Sequence, residues 1–316
     1  MIDIDVVITW VDGDDPEHRR KRLSFMTRSS RPLHDNGINP HRWADSDELN
    51  YCLRSIEKNA PWVRRVWIIT DLQAPKFGKL SKRFLDKISI VDHLEIFRDH
   101  AEVLPTFNSL SIETMLWRID GVAEHFLYFN DDVFLIAPVR PDDFFTAAGP
   151  VLRGGWTDYS GLGRSAEKRK DAAFLNHYNQ LNAAEIIGFG AERAFANAHV
   201  IHPMRRSVMA RLFEQHRELF VENITHRFRD TEQFLPQGLH NHACIRDGGF
   251  TILEHQDYMH FSVGQFDGWR QGEVRDHFLR AAKPDIKLLC VNDLPSIERT
   301  FPEARKFIEL AIGLAA

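Results

Sequence analysis

Apolar and polar positions along the first half of the chain switch between a strand period and a helix period. Residues 4–11, Ile-Asp-Val-Val-Ile-Thr-Trp-Val, are β-branched and apolar and stop at Asp12-Gly13-Asp14-Asp15-Pro16, which predicts a buried strand followed by an acidic loop. Asp45 and Glu48 are spaced as a capping box ahead of Leu49, Cys52, Leu53 and Ile56, an i, i+3, i+4, i+7 stripe that Asn59-Ala60-Pro61 ends. Further strands are predicted at Arg65–Thr70 and Ile88–Val91, and a helix from about Ser109 with Ile112, Met115, Leu116 and Ile119 as its buried stripe. Phe126-Leu127-Tyr128-Phe129 then runs into Asn130-Asp131-Asp132. Strand alternating with helix reads as an α/β fold with a doubly wound, mainly parallel sheet. The second half is less regular, with helices predicted at 172–187 and 205–220 and an amphipathic closing helix from Pro302 to Leu314.

That order gives the acidic residues a meaning, because open parallel sheets bind ligands beyond the carboxyl ends of their strands. Asp12, Asp71 and the Asp131-Asp132 pair all fall at such ends. Carboxylates gathered on one rim repel unless a cation sits among them, and hard oxygen donors select Mg²⁺, Mn²⁺ or Ca²⁺ rather than a soft metal. A metal-dependent phosphate site is therefore expected. Composition narrows the partners: a net charge of -5 over 316 residues argues against a nucleic-acid binder, so any basic grip on phosphate is local. Three scattered cysteines and no apolar run of spanning length point to a reducing compartment and a chain without a membrane anchor.

Other motifs carry less. His240-Asn241-His242-Ala243-Cys244 looks like zinc ligands but has no second cluster at ligand spacing, so it reads as core or cleft wall. Lys168-Arg169-Lys170 reads as a solvated helix face, and Ser160-Gly161-Leu162-Gly163-Arg164 follows no clear strand and is not a nucleotide loop. His199 and His202 precede a predicted helix and are candidate bases; Arg227 and Arg229 are candidate phosphate forks.

Four blocks taken together resemble the Stealth family, which includes bacterial capsular polysaccharide phosphotransferases and the catalytic subunit of the lysosomal N-acetylglucosamine-1-phosphotransferase. They are Ile4 to Pro16; Asp47 to Glu57 with Ala60 to Arg64, Leu104 to Ser109 and Tyr128 to Phe134; His199 to Val208 with Arg227 to Asp230; and Leu289 to Asp293. The resemblance implies one catalytic domain over 1–316, with residues 1–150 holding nucleotide-sugar and metal and 151–316 serving acceptor and catalysis. It implies a GT-A-like or Rossmann-like fold, and transfer of a hexose-1-phosphate or N-acetylhexosamine-1-phosphate from a UDP-sugar to an oligo- or polysaccharide hydroxyl with release of UMP.

By position the family's essential histidine falls on His199 and its essential arginine on Arg229. The usual His-x-Pro-Tyr pattern is replaced at its last two places by Ile201 and His202, so His202 stands as a second base candidate. Asp131, Asp132 and Asp293 are the expected ligands of Mg²⁺ or Mn²⁺, with Asp12 beside the chemistry; Arg54, Asp71, Asn108, Asn130 and Asn292 are expected to bind substrate. The enzyme is expected to be cytoplasmic, compatible with peripheral attachment to a capsule-export assembly. A glycosyltransferase releasing UDP and a non-catalytic carbohydrate binder are the rival readings.

Overall fold

The computed structural model describes residues 2–28, 32–39, 43, 46–163, 165–262, 264–281 and 283–313. Asp45, Arg164 and Leu314, on which three of the expectations above fell, lie outside these residues. In chain order the first half forms β1 (Ile4–Thr9), α1 (Pro16–Arg28), α2 (Glu48–Asn59), β2 (Val66–Thr70), α3 (Lys82–Leu85), β3 (Ile88–Asp92), α4 (His93–Phe97), α5 (Ser109–Met115), β4 (His125–Asn130) and β5 (Val133–Leu135).

β4, β1, β2 and β3 lie side by side in that order, all parallel, and the strand His202–Arg205 adds an antiparallel edge beside β4. The chain winds outward from β1 to β3 and then returns to the other side of β1, so the doubly wound expectation holds. The direction of winding reverses between β1 and β4, and Thr9 pairs with Asn130 at the carboxyl end of that junction. A crevice is forced there, because the connections leave β1 and β4 in opposite directions.

Alternate residues of each strand feed two cores, which is why β1 reads as a near-continuous apolar run. Ile4, Val6 and Ile8 pack with the Leu49, Cys52, Leu53 and Ile56 stripe of α2. Val7, Phe126 and Tyr128 pack on the opposite face against α5 and the helices Arg206–Gln215, Arg217–Thr225 and Pro236–Arg246. Residues from both halves of the chain share each core.

A second sheet, ordered Tyr258–Phe261, Leu288–Val291, β5, grows from the end of the first. β5 starts two residues after β4 and is pinned from α2, whose Ser55 Oγ accepts from the Leu135 N–H at 3.0 Å and whose Asn59 Nδ2 donates to the Leu135 carbonyl at 2.7 Å. The remaining strands make small sheets of three and two.

Several elements differ from expectation. The acidic loop leads into α1, which the apolar pattern conceals because the residues it buries are His18 and Arg22, one helical turn apart. Arg22 lies 4.1 Å from the ring centre of Trp43, so a cation–π contact stands where an aliphatic side chain would be expected. α2 begins at Glu48, and its N-cap Asp47 is in the left-handed region with no side-chain cap bond. The helix expected over 172–187 is regular from Leu175 to Ile187, the one expected over 205–220 is two helices that break at His216, and the closing helix runs Ala304–Ala311.

Asp5 anchors the amino end of the sheet. Its fully buried carboxylate accepts from Arg64 Nε and Nη2 at 2.8 and 2.7 Å, from Trp67 Nε1 at 2.9 Å and from the Ala123 N–H at 2.9 Å. Removing it leaves the Trp67 and Ala123 N–H groups without this acceptor, while Arg64, a third exposed, keeps the Gly121 carbonyl, so Asp5→Ala is expected to cost about 2 kcal/mol. An unchanged urea midpoint in that variant would refute the anchoring role.

Candidate active site

The rim at the carboxyl ends of β1 and β4 carries a continuous chain of polar contacts. Thr9 Oγ1 lies 3.0 Å from the Tyr128 hydroxyl, which donates to Asn130 Oδ1 at 2.7 Å. Burial and the nearby Glu113 hold the Tyr128 phenol well above its usual range, so it stays protonated and remains a donor. With its oxygen so engaged, Asn130 presents its amide nitrogen to His199 Nε2, 3.4 Å away.

Asn292 approaches the same His199 nitrogen at 3.5 Å from the second sheet. Its amide also donates to Asp132 Oδ2, and its oxygen lies 2.5 Å from His260 Nε2. A carboxylate only accepts when ionised, so Asp132 fixes which end of the Asn292 amide is nitrogen, and His260 therefore donates from Nε2. Cys290 Sγ completes the group 3.8 Å from Asp132 Oδ1. Burial pushes the Asp132 carboxyl up, opposed by the Asn292 bond and the neighbouring His260.

The fold explains the convergence. Asp131 and Asp132 form the step between β4 and β5; Cys290 pairs with Val133 across an antiparallel ladder and with His260 across a parallel one. His199 sits just ahead of the strand that pairs with β4. The rim thus gathers His199, Asn130, Asn292, Asp131 and Asp132 from the sequence expectations. It adds His260, which no pattern marks, and Tyr128 and Cys290, which lay in quoted blocks without a role.

The other expected residues stand differently. Asp12 Oδ1 accepts the N–H groups of Asp14 and Asp15 at 3.0 and 3.2 Å, while the Asp12 backbone is clasped by Gln73, which accepts its N–H at 3.0 Å and donates to its carbonyl at 2.8 Å. It organises the loop after β1 and ties it to the loop after β2. Asp71 faces Lys21 of α1 at 3.7 Å. Asp293 caps the helix Leu294–Thr300, its carboxylate taken by the Ser296 N–H at 3.3 Å and by the Ser296 hydroxyl. Asn108 is fully buried, caps α5 by accepting the Leu110 N–H, and donates to the His226 carbonyl and to Gln233, each at 2.8 Å.

Asn108 thereby tethers the segment that carries Arg229. Arg229 donates to Ser109 Oγ, and its charge is felt at Tyr128. Arg54 is half-buried on α2, with no hydrogen bond or ion pair among the described residues. The two base candidates part company: His202 lies inside the sheet, stacked on Tyr128 at 6.4 Å and 17°, and burial drives it down to about 3, whereas His199 is half-buried on the rim.

The His240 to Cys244 stretch is core, as expected: His240 Nε2 accepts the Arg205 N–H at 3.0 Å and His242 Nε2 accepts the Phe195 N–H at 2.9 Å. An open depression of about 630 Å³ lined by Arg98, Arg118, Asp120 and Arg206 lies at the opposite end of the sheet, at the starts of the parallel strands.

Residues 3–30 match Stealth protein CR1, conserved region 1, and residues 42–151 match Stealth protein CR2, conserved region 2. Over 295 residues the chain is 39% identical to exopolysaccharide phosphotransferase SCO6023 of Streptomyces coelicolor, covering 92% of this chain and 47% of that protein. The chain belongs to the Stealth family. The exopolysaccharide phosphotransferase of Nocardia farcinica is 36% identical to this Stealth chain over 95% of its length and 56% of the relative's. CpsY of Mycobacterium tuberculosis, also named an exopolysaccharide phosphotransferase, is 31% identical over 96% and 54%. This Stealth chain therefore spans about half the length of the curated relatives it matches. A solved galactosyltransferase, LgtC in complex with donor and acceptor sugar analogs, aligns over 99% of the chain at 15% identity and a TM-score of 0.44, too loose a likeness to bear on fold or activity. Among the described residues of this Stealth chain, no helix is long and apolar enough to cross a membrane.

The buried histidines set a pH dependence for its stability. Burial lowers His202 to about 3 and His240 to about 4, below the unfolded value of about 6.5. The unfolded chain therefore takes up protons first on acidification. Stability is expected to be full above pH about 6.5 and to fall toward pH about 4 by up to about 1.4 kcal/mol per pH unit for each histidine. Urea midpoints across that window should decline, and His240→Gln should flatten the slope; an equal slope in the variant would exclude His240 from the effect.

Proposed function

We propose that this chain transfers a hexose-1-phosphate or N-acetylhexosamine-1-phosphate from a UDP-sugar to a hydroxyl of an oligo- or polysaccharide, forming a phosphodiester and releasing UMP in capsular or exopolysaccharide synthesis. The observation that carries this reading is the meeting of His199, Asn130, Asn292 and Asp132 at the switch point, in a chain whose relatives are named exopolysaccharide phosphotransferases. Such a reaction draws on cytoplasmic nucleotide-sugar and feeds an exported polymer, so we place the chain at the inner face of the membrane, as a peripheral component of the export machinery.

The donor set fits Mg²⁺ or Mn²⁺. No lysine or arginine of the described residues pairs with Asp132, whose half-buried carboxylate follows directly on Asp131 in the chain, and hard divalent ions take oxygen ligands of this kind. When bound there, the ion would supply positive charge to the donor diphosphate. Asp131 and Asp132 would hold it; Asp293, engaged as a helix cap, is left out of the set.

His199 acts as the base. The two asparagine amides 3.4 and 3.5 Å from Nε2 leave that nitrogen as an acceptor, and contacts of this length are weak enough for a substrate hydroxyl to replace. An acceptor hydroxyl donating there gives up its proton as its oxygen attacks the β-phosphorus. Arg229, held by Ser109, balances the charge that grows on the phosphate oxygens, and Arg54 remains available to the sugar or its phosphate. Tyr128 and Asn130 keep His199 oriented, and Asp12 and Gln73 shape the rim loop beside it.

Incubation with Mg²⁺, a panel of UDP-hexoses and short oligosaccharide acceptors should release UMP; UDP as the nucleotide product would mean attack at the anomeric carbon and would overturn the reading. His199→Ala is expected to lower turnover by about 10²- to 10⁴-fold with UDP-sugar binding retained. Asp132→Asn should weaken metal-dependent donor binding itself, a difference that calorimetry separates.

A further inference from the structure

His199, His260 and Cys290 come from three separate segments, yet one ligand atom from each lies within 4.8 Å of the others. Cys290 and His260 are register partners on neighbouring parallel strands, which directs both side chains to one side of the second sheet. Asp132 Oδ1 lies 3.8 Å from the sulfur. Two imidazoles and a thiol therefore surround one point, with the Asp132 carboxylate against the thiol.

This donor set differs from the one Mg²⁺ requires. Mg²⁺ and Mn²⁺ prefer oxygen, whereas imidazole with thiolate selects Zn²⁺ and ions like it. Tetrahedral bonds of about 2.0 to 2.3 Å place donor atoms roughly 3.5 Å apart, so closing the group onto an ion needs side-chain shifts of about 1 Å. Such shifts are open to the half-buried His199 and His260. The Asn292 amide, 2.5 Å from His260, is the kind of outer partner that orients a ligating imidazole.

We propose that His199, His260 and Cys290 form a thiolate-bearing site for Zn²⁺ or a chemically similar d-block cation, with Asp132 beside the sulfur, and that filling it stops transfer. Binding sends the Cys290 proton to solvent and occupies a lone pair of His199. An ion held there carries its charge beside Asp132 and so opposes Mg²⁺ as well. The site itself stands on geometry alone; its effect on transfer rests on the reading of His199 as the base.

Titrating the metal-free, purified chain with Co²⁺ tests the site without any activity measurement. One equivalent should give thiolate-to-cobalt charge-transfer absorption with the visible bands of a tetrahedral ion, displaced by Zn²⁺ and not by excess Mg²⁺. Cys290→Ser should abolish the charge-transfer band, while Cys244→Ser, which removes the thiol 3.7 Å from His240, should leave it intact. Should Cys290→Ser fail to fold, His260→Gln decides the matter and should weaken Co²⁺ binding at least tenfold. No thiolate band in the parent chain, or a band that survives Cys290→Ser, would overturn the site. In the transfer assay Zn²⁺ should suppress UMP release at the occupancy seen by spectroscopy; bound zinc with undiminished release would overturn the shut-off. Failure to release UMP under any condition would count against the proposed function, and the cobalt spectra would still decide the site.

Discussion

The site depends on one backbone ladder. β5 begins two residues beyond β4 and pairs not with β4 but, antiparallel, with Leu288–Val291. The Val291 N–H donates to the Asp132 carbonyl at 3.0 Å, and the Asn292 N–H donates to the Phe261 carbonyl at 2.9 Å. A slip of one residue would turn Cys290 and Asp132 to opposite faces. Ser55 and Asn59 of α2 guard against it by bonding both sides of Leu135, the last residue of β5.

The parallel core was legible because β1, β2 and β4 are buried on both faces and so read as unbroken apolar runs, with turn residues at each carboxyl end. The Asp131-Asp132 pair was legible for the same reason. α1 escaped notice because burial there falls on His18 and Arg22, whose stability depends on partners that no local pattern displays. His260 escaped for a different reason: the strand Tyr258–Phe261 has only one fully buried position, and its significance comes entirely from the residue opposite it, 30 positions away in sequence. Asn108 and Asp293 were visible as polar residues at element boundaries, but capping and ligand binding call for the same residue types at the same places, and only the partners separate them.

Histidines divide by location in a way that suits this arrangement. His93, His202 and His240 are buried and depressed, so near neutral pH they serve as neutral hydrogen-bonding or packing groups. His199 and His260 sit half-buried among amide groups at the junction of the two sheets. The same ring is thus a core residue in one place and a rim residue within reach of polar partners in another, and depth in the molecule decides which.

The ladder between β5 and Leu288–Val291 also fixes when the rim can exist. Its members lie about 160 residues apart in sequence, as the bond from Asn292 to Asp132 records. A chain emerging from the ribosome has synthesised its acidic step long before Cys290 and Asn292 appear, and its two cores close only with residues of the second half. Until those last residues arrive, Asp132 has no amide to orient it and His199 lacks one of its two neighbours. The assembled rim therefore waits on residues 288–292, and a chain stopped short of them carries Asp131 and Asp132 without the constellation built around them.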